Sequence, residues 1–339
     1  FTTCGWMMWN WLISTLASGA TVILFDGSPF HPNAGVLWKI AERERLTVFG
    51  TSAKYLSALE KTHYNPRQHV ELSYLKSILS TGSPLAPSSF DFVYNQIKGD
   101  LQLSSISGGT DIISCFALGN PVLPVYRGEL QCRGLGMKME IFDNQGRSIK
   151  EKKGELVCTA AFPSMPIGFW NDPDGEKYFS TYFKRFPNVW CHGDYAEITG
   201  RKSVIIHGRS DTVLNPGGVR IGTSEIYRVV DQFKEIEESV AVGQEWEGDE
   251  RIVLFVQLQS NFRLDKKLTQ GIRKAIREAA SPRHVPAKIL AVPDIPRTIN
   301  GKIVEVAVRD TVHGRKAGNA DTLANPEALK YFLNRKELS

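Results

Sequence analysis

The sequence predicts a mixed α/β protein that contains more than one folded body, and three observations support this fold class. Helical and strand patterns alternate over residues 1–120, which is typical of a parallel sheet with helices on both faces. Shorter strand patterns at closer spacing follow over residues 121–210 and suggest a small β-barrel-like subdomain. The 339 residues also exceed the size at which one hydrophobic core keeps growing. We therefore expect a large body over 1–210, a compact α+β body over 211–310 and a tail over 311–339.

The elements of residues 1–120 follow from hydrophobic periodicity. Apolar residues three and four apart predict helices, and short runs rich in β-branched residues predict strands. Ligands of parallel sheets collect at loops after the carboxyl ends of strands, so the loops at 80–84 and 107–111 are candidate binding loops. The predicted helices are Trp11–Ala17, Val36–Arg45, Ser52–Thr62 and Ser88–Ile97, and the predicted strands are Thr21–Phe25, Leu46–Phe49 and Leu75–Leu79.

The later elements are predicted in the same way. An amphipathic pattern from residue 226 predicts a helix that Thr223 caps, with Glu225 in the first turn, where an acid suits the helix dipole. A second helix is predicted over Leu264–Ala280, and a short helical pattern covers Pro326–Leu333. The predicted strands are Met137–Phe142, Gly154–Thr159, Asn188–Cys191, Ala196–Ile198, Ser203–Ile206, Ser239–Val242, Ile252–Gln259 and Lys288–Val292.

Composition and charge exclude several classes of protein. Hydrophobic residues make up 42% and charged residues 23%, which is ordinary for a globular protein. The net charge of +5 comes from scattered lysines and arginines, which argues against a nucleic-acid-binding tail and fits an anionic small molecule. Five dispersed cysteines without a CxxC pair argue against a disulfide framework or a zinc site, and favour a reducing compartment such as the cytosol.

The apolar stretch Trp6–Phe25 raises the question of a membrane span. Polar residues interrupt it and no basic residues flank it, so we interpret it as a buried helix, a turn at Gly19 and a strand, without membrane insertion. The chain begins at Phe1 with no visible signal peptide, and we expect it to be the later part of something longer.

Two short segments are candidates for binding a nucleotide. In the loop Ser107–Asp111, glycines let backbone N–H groups approach a phosphate, the Thr110 hydroxyl can bond to it, and the Asp111 carboxylate can hold Mg²⁺. The segment His192-Gly193-Asp194 follows a predicted strand, and a carboxylate there could accept both hydroxyls of a ribose. The alternative for both segments is an ordinary turn.

Residues 207–223, which read HGRSDTVLNPGGVRIGT, form the segment around which the chain is organised. Arg209 and Arg220 can hold a phosphate or a ribose, and the Gly217-Gly218 pair lets the backbone approach a ligand. The segment is interpreted as a joint between two bodies. The alternative is a Gly/Pro linker with solvated charges.

Lys302 ends the turn PRTINGK, residues 296–302, which includes Asn300. A lysine on a long stem can reach a transferring phosphoryl group, and the alternative is a solvated turn lysine. The residues Ser73-Tyr74-Leu75-Lys76 match the SxxK spacing of penicillin-reactive hydrolases, but we reject that class because no partner motif accompanies them.

The order of these motifs resembles that of the adenylate-forming acyl-CoA synthetases. The resemblance runs from Phe1 to about Val308, and its most specific parts are the 208–226 block and the PxTxxGK turn. It implies an acid–thiol ligase that joins a carboxylate to ATP, releases pyrophosphate and passes the acyl group to coenzyme A. The motifs are TGSPL (81–85), SGGTD (107–111), GELVC (154–158), WCHGDY (190–195), GRSDTVLNPGGVRIGTSEI (208–226) and PRTINGK (296–302).

The resemblance also implies a role for each matching residue. Asp111 stands where the family usually has a glutamate that holds Mg²⁺, and a lid is expected to rotate about the hinge residue Asp211 between the two half-reactions. The remaining roles are an adenine-side loop at Gly82, Ser83 and Pro84; α-phosphate contacts from Gly109 and Thr110; a ribose pair of Asp194 and Arg209; a phosphate contact from Arg220; a pantetheine passage at Gly218; a coenzyme A phosphate contact from Arg277; and the catalytic lysine of adenylation at Lys302.

The acyl group implied by the resemblance is a short keto acid, with acetoacetate preferred over acetate. Gly108 stands where acetate-activating members carry a tryptophan, which leaves room for a longer acid, and Trp6, Met7 and Met8 are the expected walls of the pocket. The alternatives are another short-chain acid, or a non-catalytic nucleotide- or coenzyme-A-binding fragment. The family's lysine-bearing phosphate loop is not found in the sequence, so we expect the chain to be the C-terminal half of a synthetase.

Overall fold

The computed structural model describes Thr2, Cys4 and residues 6–299, 301–317 and 322–339; Phe1 and Asn300 lie outside the described residues. The chain divides into two compact units, Phe1–Ile206 and His207–Ser339, so the division falls within a strand shortly before the expected position. In the described ranges, no helix combines the length and the apolar character that crossing a membrane requires.

A parallel three-stranded sheet forms the first layer of unit Phe1–Ile206. Its strands β1 (Val48–Ser52), β2 (Ser77–Thr81) and β3 (Gln102–Ser105) lie in that order, and all run the same way. Ser80 pairs with Thr51 on one side and with Ser105 on the other, so the carboxyl ends of the three strands meet at one edge. The helices of this part are α1 (Met7–Ser14), α2 (Val36–Arg43), α3 (Ala53–Lys61), α4 (Pro66–His69) and α5 (Pro87–Phe92), the last followed by a wider π turn over Val93–Ile97.

The core of this layer is apolar and closely packed. Trp38 of α2 stacks on Phe49 of β1 with ring centroids 4.8 Å apart, and Leu56, Ile78 and Leu103 are fully buried beside them. The parallel pairing of β1, β2 and β3 confirms the predicted parallel sheet, and this core packs against it.

The predicted strand Thr21–Phe25 is wrong. These residues have no regular structure, and Leu24 is 67% exposed although the run has the β-branched and apolar composition of a strand. A strand is stable only when a neighbouring strand satisfies its backbone and packs against its side chains. Among the described residues no strand pairs with this segment.

Antiparallel sheets form the rest of the first unit. A small sheet contains β4 (Ser107–Gly109), β5 (Ser114–Leu118) and β6 (Cys132–Arg133). A larger sheet contains the strands β7 (Met139–Phe142), β8 (Ser148–Ile149), β9 (Gly154–Cys158), β10 (Trp190–Ile198) and β11 (Val204–Arg209). These strands lie in the order β11-β10-β9-β7-β8, and the helix α6 (Glu176–Tyr182) precedes β10 in the chain.

This larger sheet is open, so the predicted β-barrel-like subdomain is wrong. A barrel forms only when the first and last strands of a sheet pair with each other. Here β11 and β8 lie at opposite edges, and the described residues contain no pairing between them. The predicted strands Asn188–Cys191 and Ala196–Ile198 both overlap the single strand β10, which begins at Trp190.

Unit His207–Ser339 is built on a second three-stranded sheet with both faces covered. The hairpin β12 (Ile236–Trp246) and β13 (Asp249–Leu258) is antiparallel, and β14 (Lys288–Ala291) pairs with β13 in parallel. On one face Leu254 packs with α7 (Thr223–Val230) and α8 (Lys266–Ala279). On the other face Phe255 meets Phe332 at 4.8 Å between ring centroids, together with residues of α9 (Glu305–Val312). The short helix Pro326–Tyr331 belongs to the tail, which therefore contributes to this core.

Candidate active site

The loops after β2 and β3 lie together at the carboxyl edge of the parallel sheet. The Thr81 hydroxyl donates a hydrogen bond of 3.1 Å to the Ile106 carbonyl and so ties the two strand ends together. Gly82 follows with φ +92°, a conformation that side chains rarely adopt, which explains a glycine at the start of the loop Gly82–Pro84. The two candidate loops thus follow neighbouring strand ends at the same edge, as expected for a parallel sheet.

Trp6, the residue before α1, and Trp11 within α1 make contacts near these two loops. A Cβ atom on Gly82 would lie 3.8 Å from the Trp6 ring, and the Trp11 indole nitrogen donates to the Ile113 carbonyl at 3.3 Å. Met7 is buried, whereas Met8 keeps part of its surface exposed. Of the residues predicted to line an acyl pocket, Trp6 therefore lies beside Gly82, and Met7 and Met8 follow it at the start of α1.

Gly108 allows a close approach between β4 and β5. A Cβ atom on Gly108 would lie 2.0 Å from the Ser114 carbonyl oxygen, much closer than any real contact. The missing side chain at Gly108 would therefore point into the backbone of β5, and a tryptophan there would displace that strand. The glycine is required by the sheet, whatever its part in an acyl pocket.

A β-bulge in β10 presents His192, Gly193 and Asp194. Pairing of β10 with β9 shifts register between Cys191 and Tyr195, and Gly193 has φ +82°. Bulges of this kind redirect side chains and occur often beside active sites. The segment is therefore an interruption within a strand, whereas the sequence predicted that it follows the end of one.

A buried glutamate holds this bulge in place. Glu155 of β9 is 1% exposed, accepts the Gly193 N–H at 3.1 Å and forms an ion pair with Arg185. Beside it, burial and the neighbouring Glu155 raise the pKa of the Cys191 thiol to about 12, so this cysteine stays neutral. Sequence reasoning missed Glu155 and Arg185, although an acid in the apolar strand GELVC was a signal of a buried partner.

Asp194 is connected to the loop that follows β3. Only 7% of the residue is exposed, and its Oδ2 atom accepts a hydrogen bond of 3.3 Å from the Ser107 hydroxyl. His192 Nε2 lies 3.7 Å from the same oxygen. The structure therefore brings the predicted ribose carboxylate and the predicted phosphate loop together, and adds Ser107, which the sequence analysis had not singled out.

Asp111 is exposed at the end of this loop and accepts a hydrogen bond from the Tyr182 hydroxyl. Tyr182 is itself held by stacking on Trp190, with ring centroids 3.6 Å apart. Within the described residues no three histidine, cysteine or acidic side chains are grouped as a metal site. A single carboxylate fits Mg²⁺ that takes its other ligands from water and phosphates, which is common for nucleotide sites.

In the second unit, the end of β11 packs closely against the start of α7. A Cβ atom on Gly222 would lie 2.2 Å from the His207 carbonyl, and the Ser224 hydroxyl donates to that carbonyl at 2.7 Å. Gly222 is the cap of α7, and Glu225 accepts its N–H at 3.0 Å. The prediction that Thr223 caps the helix is wrong, because Thr223 is already its first residue.

The Gly217-Gly218 pair lies at the tip of a loop that the bridge between Leu214 and Ile221 closes. Asp249 accepts the Gly217 N–H at 3.0 and 3.1 Å, which anchors the loop to the β12–β13 turn. Gly218 has φ +74°, and a Cβ atom there would meet nothing within 4 Å. The position thus combines a glycine conformation with open space.

The predicted binding cations and the predicted hinge residue of the second unit lie on several elements. Asp211 is exposed, lies 3.7 Å from the Arg209 guanidinium and accepts a hydrogen bond from Arg309 through its backbone carbonyl. Arg220 stands beside the bridge that closes the loop, and Arg277 is exposed in the last turn of α8.

Lys302 is exposed in a tight turn. The Thr298 N–H donates to the Lys302 carbonyl at 2.8 Å, and the Lys302 N–H donates to the Thr298 hydroxyl at 3.2 Å. Gly301 makes the turn possible with φ +77°. The backbone is therefore held firmly while the side chain projects from it.

Glu305, shortly after this turn, is a buried acid in a hydrogen-bond network. The residue keeps some surface, but its carboxyl group is enclosed by the hydroxyls of Tyr227, Thr223 and Thr212. Burial raises the pKa of Glu305 above its ordinary value of 4.5, and Asp211 raises it further. The network links α9 to α7 and to the segment around Asp211.

Glu305→Gln is expected to remove a pH dependence of stability. Because the folded-state pKa is raised, the folded chain binds more protons than the unfolded chain once the pH passes 4.5. The contribution of Glu305 to stability is therefore complete below pH 4.5. It is lost as the pH rises through the raised pKa that Glu305 has in the folded chain. Glutamine still accepts from Tyr227 but does not titrate, so the unfolding midpoint of the wild type should fall relative to that of the variant as the pH rises.

The control is Glu337→Gln, which removes an exposed acid whose pKa is lowered by Arg335. This group contributes in the opposite direction, since its stabilisation is lost as the pH falls. Parallel curves for wild type and Glu305→Gln, measured by thermal unfolding between about pH 4 and 8, would contradict the assignment.

Comparison with known proteins shows which proteins this chain resembles. The profile of the family described as AMP-binding enzyme matches residues 2–164. The acetoacetyl-coenzyme A synthetase of Rhizobium meliloti (strain 1021) is 60% identical over 338 residues, a match that covers 100% of this chain and 52% of that protein. Residues 2–164 of this chain are therefore similar to the AMP-binding enzyme family. The acetoacetyl-CoA synthetase of Gallus gallus is 48% identical over 340 residues, covering 100% of this chain and 51% of that protein.

The fold of this chain is also similar to that of a solved structure. The acetoacetyl-CoA synthetase from Streptomyces lividans superposes with a TM-score of 0.91 at 44% identity, covering 98% of this chain and 51% of that chain. The chain thus spans about half the length of the relatives it matches. These matches show what share of each relative the chain covers. They do not confirm the expectation that the chain is the C-terminal half of a synthetase.

Proposed function

We propose that this chain contributes to an ATP-dependent acid–thiol ligase that converts acetoacetate to its coenzyme A thioester through an acyl-adenylate. The observation that supports the proposal is the hydrogen bond from Ser107 to Asp194, because a buried carboxylate lies beside a glycine-rich loop that follows a strand of the parallel sheet. The similarity to acetoacetyl-CoA synthetases supplies the reaction type and the acid.

In the first half-reaction a carboxylate oxygen of the acid attacks the α-phosphorus of ATP and pyrophosphate leaves. Both reactants are anions, so the site must offset repulsion and hold them in line. Gly82, Ser83 and Pro84 are proposed to contact adenine, and Thr110, with the Gly109 backbone, the α-phosphate. Bound Mg²⁺, held in part by Asp111, would neutralise phosphate charge.

Cations of the second unit complete this half-reaction. Arg209 is proposed to assist Asp194 at the ribose, and Arg220 and Lys302 to stabilise the charge that develops on the phosphates. The firmly held turn beneath Lys302 supports this role, because a fixed backbone limits the positions that the ammonium group can take.

In the second half-reaction the thiol sulfur of coenzyme A attacks the acyl carbon, AMP leaves and the thiol loses its proton. Gly218 is proposed to leave room for the pantetheine arm, and Arg277 to contact a phosphate of coenzyme A. The second unit would act as a lid whose rotation about Asp211 exchanges the two sets of groups. A cytosolic location remains a prediction.

ATP–pyrophosphate exchange with acetoacetate tests the proposal. It should be measured on this chain and on a full-length chimera, in which these 339 residues replace the matched region of the Rhizobium meliloti relative. Exchange by the chimera that depends on acetoacetate supports the ligase. Nucleotide binding without exchange would instead support a non-catalytic binding fragment, a candidate favoured by the chain's covering only about half of its relatives.

The acid preference is expected to be acetoacetate over butyrate and acetate. A missing methylene in an apolar pocket costs only about 1–3 kcal/mol, so rejection of butyrate requires a polar contact to the keto oxygen. The Trp6 indole N–H is the proposed donor, and Trp6→Phe should reduce kcat/KM for acetoacetate about tenfold while leaving butyrate unchanged. Gly108→Trp is unsuitable as a test because it would displace β5. A chimera that prefers acetate would contradict this pocket.

A further inference from the structure

His192 is enclosed between the bulge of β10 and the loop after β3. It is 8% exposed, and its ring meets Phe116 edge-on at 4.7 Å between centroids. A Cβ atom on Gly109 would lie 2.9 Å from Cε1 of the ring, closer than real side-chain contacts. The imidazole therefore occupies the space that any other residue at position 109 would need.

One nitrogen of this ring faces both halves of the nucleotide site. Nε2 lies 3.3 Å from the Gly108 carbonyl oxygen and 3.7 Å from Oδ2 of Asp194. A carbonyl can only accept, so Nε2 must carry the proton in this hydrogen bond. The same N–H group thus contacts the loop backbone and lies beside the carboxylate.

We infer that His192 is a positioning residue that sets the loop 107–111 relative to Asp194, and that Gly109 and His192 form a matched pair. The inference rests on the proposed function, since it assigns to this pair the alignment of the α-phosphate loop with the ribose carboxylate. Glycine at 109 is then required by the imidazole and not only by the approach of a phosphate. The loop 107–111 and the Asp194 carboxylate are thus coupled through the His192 side chain.

A double-mutant cycle tests the matched pair. Gly109→Ala pushes a methyl group against the imidazole and should weaken AMP binding about tenfold and lower the unfolding midpoint of the first unit. In a His192→Ser background the collision is absent, so Gly109→Ala should lower the unfolding midpoint by less than about half as much as it does with His192 present. AMP affinity is measured by calorimetry and stability by thermal unfolding, both on this chain.

A second pair of variants tests the positioning role. The side-chain amide of His192→Gln can place an N–H where imidazole Nε2 stands, whereas the shorter His192→Asn cannot. In the full-length chimera, His192→Gln should keep the KM for ATP near that of wild type. His192→Asn should raise that KM about tenfold while kcat changes less than about threefold.

The outcomes separate this inference from the proposed function. Additive effects of Gly109→Ala and His192→Ser on unfolding would overturn the matched pair. Equal KM values for the Gln and Asn variants, or an equal loss of kcat in both, would overturn the positioning role. A wild-type chimera that shows no acetoacetate-dependent exchange would refute the proposed ligase and with it the positioning role, while the unfolding cycle would still decide the pair.

Discussion

Lys302→Ala is expected to abolish acetoacetyl-adenylate formation while leaving thioester formation from supplied acetoacetyl-AMP largely intact. Removing one group that stabilises developing charge typically costs about 10²- to 10³-fold in rate. The charge of Lys302 is needed only while pyrophosphate leaves, because the second half-reaction breaks the bond between the acyl group and AMP. Pyrophosphate exchange and thioester release in the full-length chimera measure the two half-reactions separately.

The matched control is Lys316→Ala, which removes another exposed lysine of the same unit. It should leave both half-reactions unchanged, and so exclude an effect of net charge. Because the backbone of the 298–302 turn is held by Thr298, the alanine variant should keep the turn and the unfolding midpoint. Equal loss of both half-reactions would show that Lys302 is not specific to adenylation.

Gly218→Leu is expected to spare pyrophosphate exchange and to reduce thioester formation on the order of 100-fold, a typical cost of misplacing a reactant by about 1 Å. A Cβ atom at this position meets nothing within 4 Å inside the protein, so the leucine side chain would project into space that we assign to the pantetheine arm. Thioester release at saturating ATP and acetoacetate, compared with exchange, gives the result.

Backbone strain is the competing explanation, because Gly218 has φ +74°. Gly218→Asn is the control, since asparagine tolerates the left-handed region better than leucine and its side chain is smaller. A blocked passage predicts that asparagine retains most thioester activity. If asparagine and leucine are equally impaired, strain in the loop is responsible, and if both are near wild type, the passage lies elsewhere.

The turns and most of the elements could be predicted from the sequence because their signals are local. Helix α3 begins one residue after the predicted start, where the Ser52 hydroxyl accepts the Tyr55 N–H at 3.1 Å, a common N-cap contact. Asp265 caps α8 in the same way at 2.7 Å. Such contacts span only three residues, so a short window of sequence contains all the information.

Predictions that depended on strand partners were less reliable. Residues 21–25 have the composition of a strand but no described partner, and the expected barrel is an open sheet. The pattern of a strand gives its period and its buried face, but does not say which strand lies beside it. The short strand β3 was not predicted, although pairing with β2 makes it part of the core.

The sequence by itself determined the order of the motifs, the residue types available for chemistry and the tight turn at Lys302. Only the tertiary structure decided that Asp194 lies beside Ser107, that Glu155 supports the bulge, and that the missing side chain of Gly109 makes room for His192. His192 and its acceptor Gly108 are 84 positions apart. Contacts at that separation depend on sheet register and on a bulge, which follow from the packing of the whole unit and leave no periodic signal in the chain.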